Sequence, residues 1–281
     1  MKRRHFLQTL GAAALGGAAV LPRVSRAMGL PKLKRVGLEL YSVRDQMRKD
    51  PERTLAAVRA MGYDDVELLW SFGNFGRSPA QVKATLDQNG LRAPSAHIDP
   101  NILLKDWEKS LEAAKLIGQQ YLIVPSLPGS VKTLDGWREW ADHMNVAGAA
   151  ARQADLWLAF HNEPDHMAPI DGQIPYDVFI ARLDPNNVRL QLDIGNMVMG
   201  GGDPLKYLAS HGDRYWSFHL KDVMADRKHD TELGTGIVDL KGILASVHDL
   251  DDKPAYVEQE EPKDSLASAK QNARYLHALD F

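Results

Sequence analysis

The chain has 281 residues, 34 of them basic and 37 acidic, a formal net charge of −3, and no cysteine. That length can bury one substantial hydrophobic core. The lack of cysteine excludes a disulfide framework and a thiolate metal site, and the slightly acidic balance offers no basic face to a nucleic-acid backbone.

The chain opens on a segment that reads as an address rather than as part of a fold. Lys2-Arg3-Arg4-His5-Phe6-Leu7 sets two arginines before an apolar stretch over residues 10–21, rich in Ala and Gly and too short for a stable membrane anchor. Ser25-Arg26-Ala27 follows as a small-x-small cleavage site. The pattern resembles a twin-arginine export signal, so residues 1–27 are expected to be removed and the protein exported, for instance to the periplasm. Five basic residues and no acidic ones leave with it, so residues 28–281 carry 29 basic and 37 acidic side chains, a net charge of −8. No later apolar run is long enough for a membrane helix.

From Lys34 onward, short apolar runs alternate with amphipathic stretches, without repeats or low-complexity linkers. Residues 36–40 read as a strand and 51–61 as a helix, with Pro51 suited to its first turn and Gly62 to its end. Residues 65–69 form the second strand, and Ser78 and Pro79 start a helix that Gly90 stops. Residues 92–96 are the third strand. Residues 101–118 follow as one helix, with Leu103, Trp107, Leu111 and Ala114 on a single face. Strands at 121–124, 156–160, 188–192, 215–218 and 255–257 are followed by helices at 134–154, 176–182, 203–210, 240–250 and 264–279. Eight strand–helix pairs in about 250 residues predict an α/β fold, a single-domain (β/α)8 TIM barrel over residues 34–281. No Gly-x-Gly-x-x-Gly follows the first strand, which weighs against a dinucleotide fold.

In such a barrel the active site lies at the C-terminal ends of the strands. Strand one ends near Glu39 and Tyr41, strand two at Glu67, and strand three at His97 and Asp99. Strand four ends in Pro125-Ser126, with nothing titratable. Strand five ends in His161-Asn162-Glu163-Pro164 and strand six in Asp193-Ile194-Gly195-Asn196. Strand seven ends in His219-Leu220-Lys221-Asp222 and strand eight in Glu258-Gln259-Glu260. Imidazole and carboxylate from separate strands suit one borderline divalent ion, Mn²⁺, Zn²⁺ or Co²⁺, in a rigid site with room for substrate.

Gly37-x-x-Leu40-Tyr41-Ser42-Val43-Arg44, His161-Asn162, Leu192-Asp193-Ile194-Gly195, Phe218-His219-Leu220-Lys221-Asp222 and Val257-Glu258-Gln259 resemble the xylose isomerase-like sugar isomerase/epimerase superfamily. The resemblance covers nearly all of residues 28–281, and the His-x-Lys-Asp and Glu-Gln motifs on successive strands are its most specific part. It implies a metal held by an acidic residue on strand five, an Asp on strand six, a His on strand seven and a Glu on strand eight. Asp193, His219 and Glu258 match the last three positions. On strand five the sequence departs, with His161 in the ligand position, or Ala159 if the alignment slips. Glu163 faces the same way two residues on and is the alternative to His161. With His161 as ligand, the opposed carboxylate pair that epimerases of the family use for proton transfer is missing. Isomerisation, or elimination beside a keto group, stays open.

The resemblance implies proton abstraction next to a carbonyl, with the ion holding two sugar oxygens and stabilising the developing enediolate. Glu258 is then the general base, Lys221 a donor to substrate oxygens, and His97 a further substrate contact or proton carrier. Asn162 is expected at the substrate as well, and Trp70, Phe72 and Trp216 are candidates for sugar stacking. Glu39 and Glu67 read as filling the bottom of the pocket, and Gly234-Thr235-Gly236 as a turn. His143, His166, His211, His229, His248 and His277 read as surface residues. The partner is a small carbohydrate, unphosphorylated outside the cytoplasm. Homodimers are common among such barrels, though no residue here marks one.

Three rival readings follow. A lyase on 3-keto-glycosides would use the same site. Asn162-Glu163-Pro164 also reads like the acid/base strand end of a retaining glycosidase, with Glu258 as nucleophile about 5 Å away, but Asp193, His219 and Lys221 then have no task. The third is a barrel that binds carbohydrate without turning it over, against which stand three well-matched ligands.

Overall fold

The structure is a computed structural model that describes residues 32–281; the stretch read as an export signal lies outside the described residues. Eight parallel strands close into a barrel: β1 (Gly37–Glu39), β2 (Asp65–Leu69), β3 (Arg92–His97), β4 (Tyr121–Val124), β5 (Trp157–His161), β6 (Val188–Asp193), β7 (Tyr215–Leu220) and β8 (Ala255–Val257). Each strand pairs with its sequence neighbours and β8 returns to β1, so the sheet has no free edge. The outer layer comprises α1 (Pro51–Ala60), α2 (Pro79–Asn89), α3 (Trp107–Ile117), α4 (Leu134–Gln153), α5 (Pro175–Arg182), α6 (Pro204–His211), α7 (Leu240–Ala245) and α8 (Ser265–Ala278). Among the described residues, no helix is long and apolar enough to cross a membrane.

The helices start where the sequence supplies caps. Asp50, Thr133, Asp203, Asp239 and Asp264 each accept a first-turn N–H, and Ser78 and Gln81 form a reciprocal capping box. Two helices differ from expectation. The stretch 101–118 breaks at Asp106 (φ −125°, ψ 25°) into Ile102–Lys105 and α3. The break lets Trp107 turn inward and donate from Nε1 to the Ala147 carbonyl at 2.8 Å. The last predicted turns of α7 are lost after Ala245, and Asp249 takes a left-handed conformation (φ 56°) before β8. A short antiparallel hairpin, Asp222–Val223 with Asp230–Thr231, follows β7 and has no counterpart in the sequence reading.

Alternation along the strands sets the layers. Outward residues such as Leu38, Val66, Leu122, Leu158, Leu190 and Phe218 are buried in the main core. Inward residues fill the barrel in tiers. Tyr121, Trp157 and Trp216 form an aromatic floor at the N-terminal end with Ile123 and Ala159, and Trp216 stacks on Tyr121. The guanidinium groups of Arg152 and Arg189 sit 3.7 and 4.3 Å from the Trp157 ring centre. Trp216 therefore lies at the end of the barrel opposite the strand termini, where it packs rather than stacks on a sugar. It occupies a bulge: Leu190 pairs with Tyr215 and Gln191 with Ser217, leaving Trp216 as the extra residue of β7.

Candidate metal centre

β3, β5 and β6 end on His97, His161 and Asp193, His219 lies one residue before the end of β7, and Glu258 follows β8 directly. Closure of the barrel brings His161, Asp193, His219 and Glu258 together, each offering one ligand atom, all within 4.8 Å of one another. All four are buried. Glu163 is not in the group. Its Oε1 lies 3.8 Å from His161 Nδ1, on the side of the ring away from the Nε2 that faces Asp193 Oδ2 at 3.6 Å.

Two atoms of this group are buried without a hydrogen-bond partner, His161 Nε2 and Asp193 Oδ2. Lys221 Nζ lies 3.1 Å from that Asp193 oxygen but outside hydrogen-bonding geometry. Burial, helped by His219 and His97, holds the His161 imidazole well below its ordinary range, so it is neutral with a bare Nε2. A neutral imidazole, an undonated carboxylate oxygen and two further donors converging on one point fit a divalent ion.

Below the group lies the carboxylate of Glu67, fully buried. It takes His219 Nε2 at 2.5 Å, Ser95 Oγ at 2.5 Å and Gln191 Nε2 at 3.0 Å, with His97 Nε2 at 3.1 Å. By receiving Nε2–H, Glu67 turns His219 Nδ1 toward Glu258 (3.0 Å) and Asp193 (3.8 Å), the arrangement by which outer carboxylates orient metal-binding imidazoles. Burial alone would raise Glu67, but His97 and His219 hold it below the carboxylate range. His219 answers in kind: burial opposes its charge, and Glu258 and Glu67 lift it to about 10. Glu67 is thus the hub of the web rather than filling. Glu39, also fully buried, is pushed well up by burial and by Glu258 and Glu67, which makes it a neutral acid.

His97 is drawn into the same web. Its Nδ1 faces Glu39 Oε1 at 3.3 Å and its Nε2 faces Gln191 Oε1 at 2.8 Å, so both nitrogens are engaged. Asn162, expected at the substrate, is spent on the backbone: its Oδ1 accepts Asp193 N–H and its Nδ2 donates to Asp193 O, each at 2.9 Å. That pair fixes Asp193 at the end of β6.

Lys221 lies above the group, with Nζ 2.8 Å from Asn196 Oδ1, 2.9 Å from Glu258 Oε2 and 2.5 Å from Glu260 Oε1. Its stem presses on Gly195, where any Cβ would meet Lys221 Cγ at 2.6 Å, so the glycine of Asp193-Ile194-Gly195 is needed for close packing. Burial opposes the ammonium, yet Asp193, Glu258 and Glu260 raise it well above the ordinary lysine range. The same lysine, with His219, overrides burial and holds Glu258 well below its range. Asn196 also donates to Glu163 Oε2 at 3.1 Å, and burial pushes the Glu163 carboxyl well up although 30% of its side chain is exposed. Asn196, Glu260 and Glu67 are named at strand ends in the sequence reading without a chemical role, and all three bond directly to the site.

His166 is a correction: it is buried rather than at the surface, stacked on Phe160 and set edgewise to Trp137. Its Nδ1 accepts Glu163 N–H at 3.0 Å. The Gly234-Thr235-Gly236 stretch is a turn whose glycine amides point at Asp222.

A closed parallel barrel that gathers imidazole and carboxylate at its strand ends defines the class of TIM barrels with a candidate metal site at the strand ends. Residues 55–279 match the xylose isomerase-like TIM barrel family, and the chain belongs to it. Inosose dehydratase of Lacticaseibacillus casei is 25% identical over 239 residues, 70% of this chain and 78% of that protein. The inosose dehydratase of Clostridium perfringens is 23% identical over 203 residues, 64% and 66%. A solved sugar phosphate isomerase/epimerase from Parabacteroides distasonis has a TM-score of 0.74 at 24% identity, covering 91% of this chain and 96% of its own. The IOLI protein with a binding zinc atom has 0.67 at 14% identity, over 86% and 96%. The two structures bear on the fold alone.

Proposed function

We propose that this chain is a divalent-metal-dependent enzyme that breaks a C–H bond next to the carbonyl of a keto-sugar and eliminates a β-oxygen substituent. The single observation that carries the reading is the buried His161, Asp193, His219 and Glu258 group with its two unpartnered ligand atoms. A divalent ion held there supplies Lewis-acid stabilisation to the oxygens of the substrate as negative charge develops. The zinc of the IOLI protein agrees with such a centre.

The chain's own residues divide the remaining work. Glu258, held low by Lys221 and His219, suits a ligand better than a base. Glu163, raised by burial and open to solvent on one side, suits the proton transfer. Lys221 presents its ammonium to the sugar oxygens. The C–H electron pair becomes the new double bond as the Glu163 carboxylate takes the proton, and the resulting Glu163 acid, the form its buried setting favours, returns that proton to the β-oxygen, which leaves as water or an alcohol.

Elimination is preferred to epimerisation for two reasons. His161 stands where a second metal-bound carboxylate would be needed, and relatives from Lacticaseibacillus casei and Clostridium perfringens are named inosose dehydratase. Isomerisation is the second reading, because it begins with the same C–H cleavage at the same buried group. Export of the folded enzyme, read from Arg3-Arg4, belongs to the proposal and points to an unphosphorylated substrate.

The test combines metal analysis with proton exchange in D₂O. About one Mn, Zn or Co per chain is expected, with chelator-sensitive loss of the C–H proton beside the ketone. A metal-free protein that cleaves glycosides in the presence of chelator would sink the reading and favour the glycosidase pair Glu163 and Glu258.

A further inference from the structure

We infer that Asp222 is a positioning residue that sets the place of the Lys221 ammonium through the loop after β7; the inference rests on the reading of Lys221 as the donor to substrate oxygens. Asp222 follows Lys221 directly and is fully buried, yet no cation pairs with it among the described residues. Its carboxylate instead receives four backbone amides. Oδ1 takes Val223 N–H at 2.8 Å and Val238 N–H at 3.0 Å, and Oδ2 takes Gly234 and Gly236 N–H at 2.9 Å each. A Cβ at Gly236 would strike this carboxylate, and Gly234 sits at φ +80°, so the loop is built around the side chain.

The loop then reaches back to the lysine. It carries Asp230, which crosses to the end of β8 and accepts the Glu260 N–H at 2.5 Å and the Glu261 N–H at 3.3 Å. On the other flank, Ser42 Oγ accepts the Gln259 N–H at 2.9 Å and Arg44 Nη2 donates to Glu260 O at 2.7 Å. Glu260, clamped from both sides, offers Oε1 to Lys221 Nζ. Backbone and side chain thus close a circuit: Lys221, Asp222, the loop, Asp230, Glu260 and Lys221 again. A lysine ammonium on its four-carbon stem is otherwise a mobile point charge, and the circuit gives it one position.

The test is a double-mutant cycle with two readouts. In Asp222→Asn, an amide NH₂ replaces one oxygen and faces two N–H donors. Turnover of a keto-sugar is expected to fall about tenfold, and about threefold in Asp230→Asn, which leaves the Asp222 cradle intact. In a Lys221→Gln background both losses shrink below about twofold, because residues acting through one another are not additive. Equal losses in the two backgrounds overturn the inference and make Asp222 a loop anchor only.

Mn²⁺ affinity by calorimetry gives the second readout. The ammonium lies 3.1 and 2.9 Å from two ligand oxygens, so a displaced Lys221 alters Mn²⁺ binding. A change confined to the Lys221 background supports the inference, and the same change in Lys221→Gln overturns it. This arm decides even if no keto-sugar is turned over, so failure of the functional reading stays separate. If Asp222→Asn does not fold, Gly236→Ala, whose Cβ would strike the Asp222 carboxylate, takes its place in the same cycle.

Discussion

The barrel interior ends differently at its two mouths. At the N-terminal end Tyr121, Trp157 and Trp216 pack ring on ring. At the C-terminal end His161, Asp193, His219, Lys221 and Glu258 are buried together. The same strands build both ends, with Trp157 and Trp216 only partly buried at the floor and the candidate metal group buried at the top. The difference lies in what satisfies the buried groups. Rings at the floor need only shape, whereas each polar atom at the top needs a partner, and two ligand atoms lack one. Stability is concentrated at one end and binding capacity at the other, so damage to each end should show in a different measurement.

The largest separation is expected from His219→Ala. Removing this ligand should empty the centre by mass spectrometry and reduce turnover by about a thousandfold, the several kcal/mol a Lewis acid contributes. A variant that kept its full metal content would break the comparison. Tyr121→Ala is its mirror at the floor. It should destabilise the protein by about 3 kcal/mol in urea unfolding, in line with other large-to-small core changes, and leave metal content untouched.

Glu67→Gln lies between the two ends, and its effect should be intermediate. Gln can still accept His219 Nε2–H but without charge, so Mn²⁺ affinity measured by calorimetry should weaken about 10- to 100-fold with little change in stability. Stability loss without a change in affinity would move Glu67 to the structural side.

The smallest effect concerns His166. Burial lowers its pKa from the ordinary 6.5 to about 3, so the folded state holds it neutral. The unfolded chain binds the proton first, and stability is therefore lost as the pH falls from about 6.5 toward 3. Between pH 6.5 and 5.5 the loss from this group is about 1 kcal/mol. His166→Phe should flatten that part of the stability profile, at the expense of the acceptor for Glu163 N–H.

How much of this can be read from the chain follows from where each residue lies. The candidate ligands stand at or just before or beyond strand ends, beside apolar runs, so a single polar residue marks both the boundary and the candidate chemistry. His161, Asp193, His219 and Glu258 are visible for that reason, and the count of eight strands with them. Glu67 is different. The sequence names it at the end of strand two but only as filling, because its partner His219 is 152 residues away in sequence. The signal that was present is physical: a carboxylate on the inward face of a buried strand needs donors. Asn196 lies in a short helix, Ile194–Met199, and Glu260 in a loop, and only the closed barrel turns both toward Lys221. The break at Asp106 was illegible because 101–118 keeps its helical spacing across it, and only the docking of Trp107 decides.

The bulge at Trp216 has one more consequence. Because side chains alternate strictly, a strand that gains a large floor residue would normally throw every later residue onto the opposite face. The extra residue in β7 absorbs that shift: Trp216 enters the floor while Ser217 and His219 remain in phase with Gln191 and Asp193 on β6. It works as a clutch between the two halves of the strand. Substitutions that enlarge or reshape the floor can accumulate below it without re-aiming the residues above, so the scaffold and the chemistry of this strand can change at separate rates.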